Sequence, residues 1–160
     1  KVQVQVQILL GDEVVSCDEV FGETLNPKTI PRPKTPTADK SMQMVKVPLI
    51  ALAWGRSGDK GDKANIGIIA RKHEYLPYIC AALTEAIVRK RFAHFLSDSK
   101  KGSVERYILP ASNAINFLLH GVLGGGGVCS IRNDPQGKGY AQLLLSCPIA
   151  VPIAIAETLS

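Results

Sequence analysis

Residues 56 to 67 read Arg-Ser-Gly-Asp-Lys-Gly-Asp-Lys-Ala-Asn-Ile-Gly. The stretch holds three cations (Arg56, Lys60, Lys63), two carboxylates (Asp59, Asp62) and three glycines (Gly58, Gly61, Gly67). Guanidinium and ammonium groups bind phosphate or carboxylate by charge-assisted hydrogen bonds. Ser57 and Asn65 add neutral donors beside them. Glycine lets the backbone approach a ligand, and successive amides in such a turn form an anion-binding concavity. Asp59 or Asp62 could act as a base. The two carboxylates could also hold Mg²⁺, but the flanking lysines oppose that, and no metal site is expected. Gly55 precedes Lys60 by five residues without a Gly-Lys-Ser/Thr ending, so this is not a Walker A loop. No helix-period pattern starts directly after it, which excludes the dinucleotide fingerprint. A plainer reading stands beside these: Gly-Asp-Lys triplets also make ordinary solvated hairpin tips.

A second group lies further on. Asn113, Asn116 and His120 fall at helical offsets of three and seven, and would share one stripe of a helix capped by Ser112. No Asp, Glu, Lys or Arg occurs between Tyr107 and Ile131. The stripe therefore faces either a cleft or backbone partners in the core. His120 is the side chain most easily poised for proton transfer near neutral pH. Gly124, Gly125, Gly126 and Gly127 follow, either as a helix cap and reversal or as backbone lying against a ligand or another chain. Arg132 adds a further cation, in the turn 132–139.

These residues need rigid elements to hold them. Val47 to Trp54 and Ile66 to Ala70 read as apolar strands flanking a loop. A short helix is expected over Glu74–Leu83, with Pro77 in its first turn. Thr84 looks like the N-cap of another over Glu85–Leu96. The basic run Arg89–Arg91 reads as either a solvated helix face or a binding patch. Residues 97–102 read as a polar turn. Val104–Leu109 alternates like a strand, with Glu105, Tyr107 and Leu109 on one side. Val128–Ile131 and Tyr140–Cys147 read as further strands, and 148–160 as a proline-broken apolar tail. At the start, Val2, Val4, Val6 and Ile8 alternate with glutamines, Gly11-Asp12 signals a turn, and Glu13–Cys17 is its hairpin partner.

The chain of 160 residues suits one core. Its net charge is +5. Residues 1–46 hold six Lys/Arg and six Asp/Glu, so the excess lies in 47–160, with thirteen against eight. A moderate positive field favours anionic ligands. Aromatics are few and no basic run is interleaved with them, so nucleic acid is not expected. No apolar run reaches membrane-span length, and no membrane partner is expected. The four cysteines, Cys17, Cys80, Cys129 and Cys147, show no metal spacing, and read as thiols of an intracellular, cytoplasmic protein. Prolines 27, 31, 33 and 36 mark a linker. The expected organisation is a hairpin-like tail or bridge over 1–24, a linker over 25–46, a domain over 47–150 and a tail over 151–160.

Taken together, residues 56–67, Val-Glu-Arg-Tyr at 104–107, Asn-Phe-Leu-Leu-His at 116–120, the glycine quartet and Asp-Pro-Gln-Gly-Lys at 134–138 resemble the C-terminal domain of the acyclic terpene utilisation (AtuA) family. The resemblance covers roughly 47–150. It implies an α+β fold, a two-layer sandwich with helices on one face of a mixed sheet, described as ferredoxin-like. It also implies a larger N-terminal α/β domain as partner, in cis or as another subunit, and a homo-oligomer is expected. The family is associated with breakdown of citronellol- and geraniol-type terpenoids through coenzyme A thioesters. No cofactor is required by the sequence; a coenzyme A thioester would be a substrate. Two functions lead, with nucleotide binding by the glycine-rich loops a third. One is a half-site for an anionic substrate in a hydratase- or lyase-type enzyme, bound by Arg56, Ser57, Lys60, Lys63, Asn65, Asn116, the glycine quartet and Arg132, with Asp59, Asp62 and His120 as catalytic candidates. The other is a non-catalytic module that docks on a partner domain or subunit.

Overall fold

Alternation of apolar and polar residues builds the main sheet. In the computed structural model, which describes residues 7–16, 26–96 and 102–159, strands β4 (Ala53–Lys60), β5 (Lys63–Ala70), β6 (Val104–Leu109) and β7 (Ala114–Leu119) pair in the order β4-β5-β7-β6. On β5, Ala64, Ile66, Ile68 and Ala70 are buried while Lys63 and Ile69 are exposed. On β7, Ile115, Phe117 and Leu119 continue the buried face. Each large apolar side chain removed from water contributes about 1.5–3 kcal/mol, so a one-residue slip of register would be strongly penalised. Every ladder among the described residues is antiparallel, so the sheet expected to be mixed is wholly antiparallel. The α+β class stands as expected.

The helices are short. They are α1 (Leu49–Leu52), α2 (Leu76–Ala82), α3 (Glu85–Arg91), α4 (Tyr140–Leu145) and α5 (Ile153–Ala156). Tyr75, Leu76, Ile79, Phe92, Tyr140 and Leu144 are buried in one cluster with the inward sheet residues. Pro77 sits in the first turn of α2, and the Thr84 hydroxyl accepts from Ile87 N at the start of α3, both as expected. Glu85 at its start and Arg89–Arg91 at its end complement the helix dipole. Both arginines of that run also tie elements together: Arg89 donates to Gly102 O, and Arg91 to Leu143 O and Ser146 Oγ. A second ladder joins β3 (Met44–Pro48) to β8 (Pro148–Pro152).

The chain divides into two units, residues 1–31 and 32–160. In the first, β1 (Gln7–Leu10) and β2 (Glu13–Ser16) form the expected hairpin around Gly11 and Asp12, with Gly11 at φ +63°. Val2, Val4, Val6, Cys17, Leu25 and the 97–101 part of the polar turn lie outside the described residues.

Several element readings change. Residues 56–67 are not a free loop but most of a β4–β5 hairpin, with only Gly61 and Asp62 at its tip. The Val47–Trp54 run is broken by α1. The helix expected after Ser112 is absent: Pro110–Ser112 is one 3₁₀ turn, Asn113 takes φ +50°, and β7 follows. Val128–Ile131 is turn and irregular chain rather than strand, and Tyr140–Leu145 is helical. The stretch read as a tail carries β8 and α5.

Candidate functional site

Strand alternation sends every second residue to the face of the sheet away from the helices. The ladder registers sort that face into cross-strand rows. Trp54, Ile69, Ala114 and Leu109 form one row; Arg56, Gly67, Asn116 and Tyr107 form the next; Gly58, Asn65, Leu118 and Glu105 form the third. Lys60 pairs with Lys63 at the hairpin end. Arg56, Lys60 and Lys63 are exposed, and none enters an ion pair among the described residues. Between the cations, Asn65 Nδ2 donates to Asn116 Oδ1 at 2.6 Å. At the opposite end Arg71 lies over the Trp54 ring, 4.6 Å from its centroid.

His120 follows directly after β7. Its Nε2 is 2.7 Å from Glu105 Oε1, and the Tyr107 hydroxyl donates to Glu105 Oε2. The Tyr107 hydrogen bond holds the Glu105 carboxyl below its ordinary value, and the same bond pushes the phenol up. Arg32 lies over the Tyr107 ring at 5.6 Å. Asn113 is separated from this group: its Oδ1 meets His73 Nδ1 at 2.7 Å. Asn116 and His120 still share a face, because their spacing of four is even and suits a strand as well as a helix.

The glycine quartet meets the hairpin tip. Asp62 Oδ1 accepts from Gly125 N at 2.8 Å, and Asp62 O from Val122 N at 3.1 Å. Gly126, at φ +92°, packs so tightly that an added Cβ would stand 2.9 Å from Gly61 O. Backbone packed on backbone thus accounts for Gly126, and a left-handed φ for Gly124 and Gly125. Gly124 takes φ +69° beside Arg132, and Gly127 lies against Gln136.

The remaining candidates are engaged elsewhere. Ser57 points inward and is 6% exposed; its hydroxyl donates to Lys138 O and accepts from Ala141 N. Asp59 lies 3.9 Å from Lys138 Nζ, and Lys60 Nζ donates to Asp59 O. Arg132 Nη1 donates to Phe95 O and Val122 O. It also lines a cleft of about 550 Å³ with Phe95, Asp134 and Tyr140, none of them on the open sheet face. No group of three His, Cys, Asp or Glu side chains among the described residues could hold a metal ion. Glu105 and Tyr107 were not among the expected site residues. The alternation of 104–109 carried the signal, since it places both on one side.

Fold and face define a class: an α+β domain with a four-stranded antiparallel sheet, helices on one side and a partly cationic open surface on the other. The chain belongs to the AtuA ferredoxin-like domain family, whose model matches residues 47–150. No curated protein and no solved structure matches it. No described helix is long and apolar enough to cross a membrane.

Proposed function

We propose that the open sheet face is a half-site for an anionic, apolar-tailed substrate, in an AtuA-type protein that breaks down acyclic terpenoids through acyl thioesters. The observation that carries this reading is the row order. The row with Arg56 and Asn116 lies directly beside an apolar row with Trp54, Ile69 and Leu109, and Asn65 and then Lys63 follow on its other side. Rows two residues apart on a strand are about 6.6 Å apart, a spacing that suits a charged head and an adjoining hydrocarbon segment. The match to a domain alone is compatible with a larger partner domain that closes the site from above. A cytoplasmic setting and a homo-oligomer belong to the same reading. The free thiols of Cys80, Cys129 and Cys147 support a reducing compartment.

Exposed apolar residues favour one second reading. Trp54, Ile69 and Leu109 are 54%, 46% and 45% exposed on a single face, which suits docking of a partner without catalysis. Thermal stability in the presence of butyryl-CoA, free coenzyme A, butyrate and phosphate separates the two. A stabilisation by butyryl-CoA that exceeds each fragment, falls with salt and is lost in Arg56→Ala and Lys63→Ala supports the half-site. No stabilisation by any of them removes it and leaves docking.

A further inference from the structure

We infer that Tyr107, Glu105 and His120 form an acid–base unit, in which His120 exchanges a proton with a carbon acid bound on the open face. This deepens the half-site reading and rests on it for the choice of substrate. Both oxygens of Glu105 are used: Oε2 by the Tyr107 hydroxyl and Oε1 by His120 Nε2. The carboxylate is held on two sides, so it fixes the imidazole ring and its tautomer. With Nε2–H donating to Glu105, the lone pair of the neutral ring lies on Nδ1. No described residue hydrogen-bonds Nδ1. The His120 side chain retains 20% exposure. Its backbone is pinned as well, His120 N donating to Ser103 O at 2.8 Å.

A cation stands beside it. Ala64 pairs with Leu119, so Lys63 and His120 are the next residues along their two strands. Adjacent strands lie about 5 Å apart, and alternation sends Lys63 to the open face with Asn65. Base and cation thus lie side by side, one row beyond the row of Asn65, Leu118 and Glu105.

The step is a proton transfer. The Cα–H bond of an acyl thioester breaks, and its proton forms an N–H bond at Nδ1 of His120. The electron pair moves into the thioester as an enolate, whose negative oxygen is stabilised by the Lys63 ammonium. Returning the proton to the same carbon gives exchange; returning it to a conjugated neighbour gives isomerisation. Neither outcome needs an oxidant or a reductant. His120 is the catalytic residue, and Glu105 and Tyr107 are positioning residues.

The test follows deuterium entry at C2 of butyryl-CoA in D₂O by mass spectrometry, with long-range ¹H–¹⁵N spectra of histidine-labelled protein. The wild-type chain is expected to incorporate deuterium, with His120 as the Nε2–H tautomer. His120→Ala is expected to reduce exchange by roughly 10²–10⁴-fold. Glu105→Gln should reduce exchange while butyryl-CoA still stabilises the fold, and should alter the His120 tautomer signal. Stabilisation without exchange in the wild type, or exchange unchanged in His120→Ala, overturns the acid–base unit and leaves the half-site standing. An absence of stabilisation by butyryl-CoA removes the half-site instead. In that case an Nδ1–H tautomer at His120 overturns the unit as well, and an Nε2–H tautomer that changes in Glu105→Gln supports it.

Discussion

Asp62 and Gly125, 63 residues apart, are joined by one hydrogen bond of 2.8 Å from the glycine amide to the aspartate carboxylate. That bond places the tip of the cationic hairpin against the glycine quartet. Asp62→Ala should cost about 1 kcal/mol, the size of an ordinary hydrogen bond, because solvent at this exposed site weakens the charged acceptor's advantage. Gly126→Ala should cost more, about 2 kcal/mol, because its Cβ would meet backbone rather than a flexible side chain. Chemical denaturation checks both. The double variant should lose less than the two single losses added together, since both act on one contact.

Ser57 is predicted to matter for folding rather than for binding. Its hydroxyl joins β4 to the turn that starts α4, through Lys138 O and Ala141 N. Ser57→Ala leaves two backbone groups without that partner, at a cost of about 1–3 kcal/mol. Denaturant melts should show the loss, and hydrogen exchange at the Ala141 amide should speed up.

The Tyr107–Glu105 contact sets a pH signature. The folded carboxyl lies below its ordinary 4.5, chiefly because Tyr107 donates to it. A lowered value means stability that is present above the unfolded value and lost as pH falls through the folded one. The phenol is shifted the other way, above 10.0, so its contribution is present below that value and lost as pH rises through the folded one. The stability difference between wild type and Tyr107→Phe should therefore be greatest between these limits and shrink at both ends. Urea melts across pH 3–11 would show it, and a difference independent of pH would contradict the contact.

Thiol labelling should separate the cysteines. Cys129 is exposed, whereas Cys80 and Cys147 are buried, and burial raises both of their thiols. In a Cys17→Ser background, a disulfide reagent should label Cys129 rapidly. It should reach Cys80 and Cys147 only as fast as the chain opens. Equal rates at all three would contradict the packing of α2 and the start of β8.

Local chemistry alone determined part of the molecule. A Gly-Asp pair between alternating runs made the 7–16 hairpin. Thr84 capped α3 because its hydroxyl supplies the acceptor a helix start lacks. The period-two pattern at 104–109 made β6 and placed Glu105 beside Tyr107 on one face. Such signals are legible because each needs only residues close in sequence. The segments misread needed distant partners. Ile115 to Leu119 is a mainly apolar segment, interrupted by Asn116, that fits a helix or a central strand, and it became β7 because β5 and β6 supplied ladders on both sides. Tyr140–Leu145 coiled as α4, where Tyr140, Ala141, Leu144 and Leu145 pack into the core and no strand pairs with it. The sequence therefore set which residues are cationic, amide-bearing or apolar. Tertiary pairing alone decided that Arg56, Lys63, Asn65, Asn116, Glu105 and His120 share one surface, because register across strands is fixed by contacts between segments far apart in the chain.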